Sequence, residues 1–567
     1  MKKGIKGFIT IFLSLIMLLG MTACSSNSGT GNGGEVDIDT SKSQLYVYSY
    51  DGGVGNEWLR GEGGVIERFE EKFADYSFEP GKLGVQIVPD CKKDDASLSS
   101  IDFSQNEVFF SEWVQIPSFI SSNKFLEIDD LVTTDLSVYL EGRTTDTDTI
   151  EDKLYQESKD FFAMRDSKFY ALPHYSHFGS LTYNKALFDS KGLYLAKEVK
   201  GTGLAAKFIS AANTTKSCGP DGEYNTSDDG LPATWDEMWN LFDYMKQKSV
   251  TPISWTGGSA EGYTKNLLTS IYMNLAGKAD ASVNWTLTSK EDTVNIITSF
   301  DKNSNPVVSQ VQIGATNDTL MSAQLEKYQA MCAYDKIIDN KNWQSAAAKG
   351  VEDNMAAQSD FILSVVENHA TGILVEGSYW YNESADANYF YEAEVGYDDF
   401  WDRNEFKVMP MPRVYSGTAL DVANKKVAGT LHNKVVWDQS DSVAAISSKI
   451  KDDPNKVKLA KMFLAFCYTQ ESLELFNIHS SCPRFMNYTV DSSKLKNDYA
   501  RDLYEYVSSS DVILAYANNQ RYINDKNAYT LHLEGTFWKS ASIGDAFNGM
   551  VGSGKKAIDY FKNYMTK

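Results

Sequence analysis

The sequence predicts an α/β protein built on a mainly parallel sheet, and three observations carry that prediction. Short extended runs rich in β-formers, Leu45–Tyr50, Gly84–Pro89 and Glu107–Phe110, alternate with helical segments such as Val65–Ala74. A polar or aromatic cluster follows each of three strand-like runs: Tyr50–Asp51, Glu112–Trp113 and His174–His177. In parallel sheets, ligands bind beyond the carboxyl ends of the strands, so one shared cleft accounts for all three clusters. The chain has 567 residues, enough for two or more packed domains.

Met1–Ala23 reads as an address, not as part of the fold. Lys2, Lys3 and Lys6 precede an apolar run, Phe8–Leu19, and Met21-Thr22-Ala23-Cys24 closes it with small residues before a cysteine. The pattern resembles a bacterial lipoprotein signal, which makes Cys24 the lipidated residue and new N-terminus. The run is shorter than the ~20 residues a bilayer-spanning helix needs. Residues 24–43 are rich in Ser, Gly, Asn and Thr and lack the apolar side chains of a core, so they are expected to form a flexible tether.

The net charge is −22, or −25 once the three leader lysines are gone, which makes nucleic acid and anionic lipid head groups poor partners. The 32 tyrosines, 29 phenylalanines and 11 tryptophans exceed what a core alone needs and suit a surface that stacks on sugar rings. Beyond Cys24 lie Cys91, Cys218, Cys332, Cys467 and Cys482, an odd number without CxxC spacing. They read as buried or free thiols, and Cys467 with Cys482 is the one pair near enough in sequence to suggest a disulfide.

Lys168–Phe188 (KFYALPHYSHFGSLTYNKALF) organises the middle of the chain. Phe169–Pro173 and Leu181–Tyr183 are extended runs, and Asn184 caps a helix starting at Lys185. Between them His174, Tyr175, Ser176 and His177 concentrate hydrogen-bonding and stacking groups. Lys185–Asn368 is then largely helical by pattern. Trp235–Lys246 carries apolar residues at helical spacing, behind a capping box of Thr234 and Glu237. Pro252–Trp255, Gly372–Glu376 and Phe406–Pro410 are further strands, Lys458–Phe466 and Glu471–Phe476 an amphipathic pair, and Lys555–Tyr564 a closing helix.

Cys218–Pro232 holds a possible metal site. Asp221, Glu223 and Asn225 fall at positions 1, 3 and 5 of a calcium-type loop, followed by the Thr226 carbonyl and by Asp228 and Asp229. Position 6 lacks glycine and the distal glutamate is missing, so this is not an EF-hand. An acidic turn punctuated by Asp-Gly pairs is the equal alternative.

Taken in order, the lipobox and tether, Leu45–Asp51, Glu107–Trp113 with Asn123–Leu131, and Lys168–Phe188 resemble the family 1 extracellular solute-binding proteins of carbohydrate ABC importers. Thr371–Trp380, Phe406–Pro412, Leu459–Cys482 and Phe537–Phe561 continue that order. The resemblance implies a two-lobed, periplasmic-binding-protein-like α/β fold, with a mixed or parallel sheet in each lobe, interlobe crossing strands, and closure by a hinge. It divides the chain into leader 1–23, tether 24–43, first lobe 44–172, second lobe 173–405, a return to the first lobe over 406–475, and a second-lobe segment with C-terminal helices over 476–567.

By matching stretches, the resemblance assigns ligand contact to Tyr50, Asp51, Glu112, Trp113, His177, Tyr263, Tyr379, Trp380 and Trp538, with Tyr379 and Trp380 as alternatives for one position. His177 stands where the family often has a carboxylate, and His174 is expected to serve the hinge or to pack locally. Some long oligosaccharide-binding relatives carry a calcium loop in this lobe, so a structural Ca²⁺ is the implied cofactor. The implied function is capture of a sugar, of oligosaccharide size, and its delivery to the membrane permease subunits of an importer. No catalysis is expected. The protein is expected to be a monomer held at the extracellular face of the cell membrane through Cys24. A peptide-binding importer lipoprotein and a lipid-anchored glycoside hydrolase are the alternatives. No Ser-His-Asp, HExxH or GxSxG arrangement accompanies the second, and carboxylate pairs mean little among 76 acidic residues.

Overall fold

The computed structural model describes residues 37–93, 100–112, 114, 116–163, 166–256, 260–286, 293–312, 323–349, 354–424, 432–438, 442–514 and 555–562. Cys24, the leader, most of the tether, Trp113 and Trp538 lie outside them. The chain divides into Met1–Ile38 and a body, Asp39–Lys567.

Thirteen strands are described. They are β1 (Ser43–Tyr50), β2 (Val85–Lys92), β3 (Val108–Ser111), β4 (Leu172–Pro173), β5 (Gly179–Asn184), β6 (Thr251–Ser254), β7 (Thr293–Phe300) and β8 (Pro306–Gln312). The rest are β9 (Thr371–Gly377), β10 (Phe406–Met409), β11 (Val435–Asp438), β12 (Val443–Ile446) and β13 (Asp511–Leu514). The first lobe's sheet runs β2-β1-β3-β12-β4, with β1 parallel to β2 and β3, and β12 antiparallel to β3 and β4. The second lobe's sheet runs β10-β5-β9-β6, antiparallel except for β6 against β9. β11 pairs with β13 in parallel, and β7 and β8 form a hairpin. This is a mixed α/β architecture with one principal sheet in each lobe, as the sequence predicts.

Local sequence explains the elements. Asn184 accepts a hydrogen bond from the Leu187 amide and so ends β5 and starts the helix Lys185–Lys191. Thr234 likewise caps Trp235–Gln247 through the Glu237 amide. The Glu237 carboxylate reaches back to the Thr234 amide and also accepts the amides of Ala233 and Ala419, pinning a distant helix end. In the second sheet, alternation sends Ile373 and Val375 of β9 into one core, while Leu374 joins Phe406 and Val408 of β10 in the other. That other core is continuous with the first lobe's, so the lobes share packing at their junction.

One boundary differs from expectation. β10, read as the start of the return to the first lobe, pairs with β5 in the second sheet, and the return is made by β12. A four-residue apolar strand carries no signal for which sheet it joins, because pairing is set by tertiary contacts.

The chain crosses between the sheets at 174–178, again between β10 and β12, and a third time after the helix Gln470–Ser480. The crossings are tied together: Ser176 accepts from the Cys482 thiol at its carbonyl (3.2 Å) and from the Phe485 amide at its hydroxyl (3.0 Å). Tyr468 donates to the Pro173 carbonyl at 2.7 Å. Cys467 and Cys482 are both buried free thiols, as are the other described cysteines free, so the disulfide reading is not met.

His174 packs locally, as expected. It is buried among the rings of Trp58, Phe110, Tyr175 and Phe476, and its Nδ1 lies 3.4 Å from the buried Arg484. Burial, reinforced by that guanidinium, holds the imidazole neutral, with its pKa well below the usual value.

Candidate functional site

Three loops of the first lobe and two segments of the second meet between the sheets. From the first lobe come Gly52 and Gly53 after β1, Glu112 after β3, and the crossing residues Tyr175 and His177. The second lobe contributes Glu376 at the end of β9, Tyr379 just beyond it, and Tyr263 on the helix Ala260–Thr286.

The approach is close enough to demand glycine. A Cβ on Gly53 would lie 2.5 Å from Cδ2 of Tyr379, and one on Gly52 would lie 2.2 Å from Oε1 of Glu112. The Tyr379 ring also covers Gly377, whose own Cβ would meet it at 2.5 Å. Asn382 Nδ2 donates to the Gly53 carbonyl at 3.1 Å, a hydrogen bond from one lobe to the other. The rings of Tyr175 and His177 stand 5.9 Å apart, and those of His177 and Tyr379 6.3 Å apart, so an aromatic row lines the junction. The Tyr175 hydroxyl hydrogen-bonds Glu112.

Glu376 is the polar centre of the second-lobe side. It is 1% exposed; Oε2 accepts from the Tyr263 hydroxyl at 3.1 Å and from the Gly377 amide at 2.8 Å. The Gln358 side chain also hydrogen-bonds this carboxyl. Burial pushes its carboxyl up to about 8; the Gly377 amide opposes this, and the nearby Glu383 charge adds to it. Glu383 is itself held by Asn354 (3.0 Å) and Gln358 (2.8 Å). At neutral pH Glu376 therefore rests mainly as the neutral acid, a form that can both accept and donate a hydrogen bond.

The raised carboxyl predicts a pH dependence. The folded state holds this proton up to about pH 8, whereas an unfolded glutamate releases it near its model value of 4.5. Between those values the folded protein binds more protons, so this group's contribution to stability falls as pH rises. Glu376→Gln removes the titration. Its melting temperature is expected to decline less than the wild type's from about pH 5 to about pH 8. Parallel curves in a thermal-unfolding series would refute the assignment.

The expected site residues divide as follows. Tyr50, Glu112, His177, Tyr263 and Tyr379 are at or beside this junction. Asp51 is exposed and accepts from Asn56 Nδ2 at 2.7 Å, so its carboxylate serves its own loop. Trp380 requires correction. It is 0% exposed, donates from Nε1 to the Tyr499 hydroxyl at 2.8 Å, and packs against Phe361, Phe406 and Tyr499. The chain turns into a helix there, so Tyr379 faces the junction while its neighbour enters the core.

Glu376, Asn382 and the glycine pair were not singled out from sequence as site residues. The signal for Glu376 was present: an acid closing an otherwise apolar β9, where burial is expensive unless the group has a task.

In the Asp221–Asp229 loop, carboxylates serve the loop itself. Asp221 accepts from the Glu223 amide (2.8 Å), Asp228 from the Asp221 amide (3.1 Å) and Asp229 from the Asn225 amide (2.9 Å). Glu223 and Thr226 are exposed. Among the described residues, no group of three His, Cys, Asp or Glu converges to hold a metal ion.

No protein-family model matches the chain, and no curated protein matches it. Solved structures do match over nearly its whole length. One is a chitin oligosaccharide binding protein, 15% identical, covering 93% of this chain and 100% of its own, with a TM-score of 0.50. Another comes from work on xylan utilization by the thermophilic bacterium Caldanaerobius polysaccharolyticus; it is 14% identical, covers 92% of this chain and 99% of its own, and has a TM-score of 0.51. The chain has the fold of these proteins.

Proposed function

We propose that the protein is a sugar-binding protein that takes an oligosaccharide between its two lobes and passes it on unaltered to an ABC importer. The observation that carries this reading is the meeting of Tyr379, Glu376 and Tyr263 from one lobe with Glu112, His177 and Gly52-Gly53 from the other. Aromatic faces suit the apolar side of a sugar ring, and buried carboxyls with an imidazole suit its hydroxyl fringe. Because the set is divided between lobes, ligand binding and lobe closure are coupled. The fold it shares with a chitin oligosaccharide binding protein supports a sugar over a peptide.

The lipid anchor at Cys24, the permease partner, the extracellular address, the monomeric state and the absence of catalysis belong to the same reading and rest on the leader, the tether and the resemblance. Trp113 and Trp538 remain proposed contacts on the resemblance alone. Calcium at Asp221–Asp229 is a further proposal; it requires the carboxylates to leave the loop amides they now accept.

A panel of neutral oligosaccharides, with peptides as the competing class, tests the reading by calorimetry. At least one oligosaccharide is expected to bind, and the recovered sugar is expected to show no new reducing ends. Peptide binding alone favours the first alternative, and sustained release of reducing ends favours the hydrolase. Replacing Cys24 with Ala is expected to move the protein from the membrane to the soluble fraction.

A further inference from the structure

A second cavity of about 730 Å³ lies away from the interlobe junction, beside β10 and the far end of β5. Tyr183 lines it, four residues along β5 from Gly179, hence on the order of 13 Å further from the interlobe end of that strand. Its volume falls within the range of small-ligand sites, and its lining is unusually rich in charge.

Two of its four basic side chains are accounted for: Lys185 pairs with Glu405 at 2.9 Å, and Lys407 with Asp502 at 3.9 Å. Arg413 and Lys434 make no ion pair among the described residues. Arg413 donates from Nη1 to the His432 carbonyl, but its Nε is buried without a hydrogen-bond partner among the described residues. Lys434 Nζ sits 5.0 Å from the centre of the Tyr506 ring. Two half-buried cations near one another repel, and their desolvation is not offset by any contacting anion. Burial accordingly pushes both below their usual pKa values.

Asp221, Asp228 and Glu505 line the same cavity, and their charges act on Lys434 from beyond ion-pair distance. Asp228 is fixed in place, accepting from the Asp221 amide at 3.1 Å and the Thr226 hydroxyl at 2.9 Å. The cavity thus holds unpaired charges of both signs apart from each other. A plain anion would satisfy Arg413 and Lys434 but face three carboxylates, and a plain cation would do the reverse.

We propose that this cavity is a second binding site, for a small zwitterion of the α-amino-acid class. Its carboxylate would bridge Arg413 and Lys434, and its ammonium would meet Asp228 and Glu505. Charge-assisted hydrogen bonds at both ends give such a ligand its affinity, and the spacing of the two charges gives selectivity. The proposal is independent of what occupies the interlobe site.

The test is calorimetry on the full chain in EDTA-containing buffer. The probes are the free proteinogenic α-amino acids, acetate and succinate as anions without ammonium, and ethanolamine as an amine without carboxylate. At least one amino acid is expected to bind, and Arg413→Met and Lys434→Met are each expected to weaken it at least tenfold, with circular dichroism showing both variants folded. The proposal is overturned if no amino acid binds, if acetate or succinate binds as tightly, or if the folded variants bind like the wild type. It is also overturned if, without EDTA, calcium binds and no amino acid does.

Discussion

Trp380→Ala is expected to lower the stability of the fold by about 3–5 kcal/mol, the cost of emptying a fully buried large aromatic site. The indole is 0% exposed, its Nε1 donates to the Tyr499 hydroxyl at 2.8 Å, and that hydroxyl also lies 3.3 Å from Thr182 of β5. Removing the ring therefore leaves a void against Phe361 and Phe406 and leaves a buried tyrosine hydroxyl with one partner fewer. Denaturant unfolding checks this directly. A variant as stable as the wild type but deficient in sugar binding would restore Trp380 to the cleft. Its neighbour behaves differently: Tyr379→Ala removes a half-buried ring that lies against the edge of that core and on two glycines of the junction.

The second large effect is expected at Gly53. A valine there places its Cβ 2.5 Å from Tyr379 Cδ2 and adds methyl groups beyond it. The ring cannot retreat freely, because Gly377 lies under its other part. Overpacking of this kind costs about 1–3 kcal/mol, and the cost falls on the closed arrangement alone, since with the lobes apart the side chain meets solvent. At about 1.4 kcal/mol per tenfold, oligosaccharide affinity should fall about fivefold to a hundredfold, with the melting temperature of the free protein little changed. Unaltered affinity would show that Gly53 and Tyr379 need not meet when ligand binds.

Much of this was readable from residues because local chemistry decided it. Asn184 and Thr234 cap helices wherever the chain later packs, and the clusters after β1 and β3 stand where strands end. The misreadings come from choices that only tertiary packing makes. Tyr379 and Trp380 are adjacent aromatics at a strand-to-helix turn, and nothing local says which one the core takes. β10 and β12 are both short apolar strands, and their sheet membership depends on partners more than a hundred residues away in the chain. Glu237 also takes the Ala419 amide, a contact 182 residues distant that no local pattern announces. Glu376 was visible as an acid at the end of β9, but its meaning depends on Tyr263 approaching from another helix.

The central claim is that sugar is held between the lobes against Tyr379 and Glu376. It is tested most directly by titrating the best-binding neutral oligosaccharide of the panel into wild type and Tyr379→Ala under identical conditions. The account predicts a loss of affinity of at least tenfold in the variant, with a smaller loss of stability than Trp380→Ala suffers. Equal affinity in a folded Tyr379→Ala protein would contradict it.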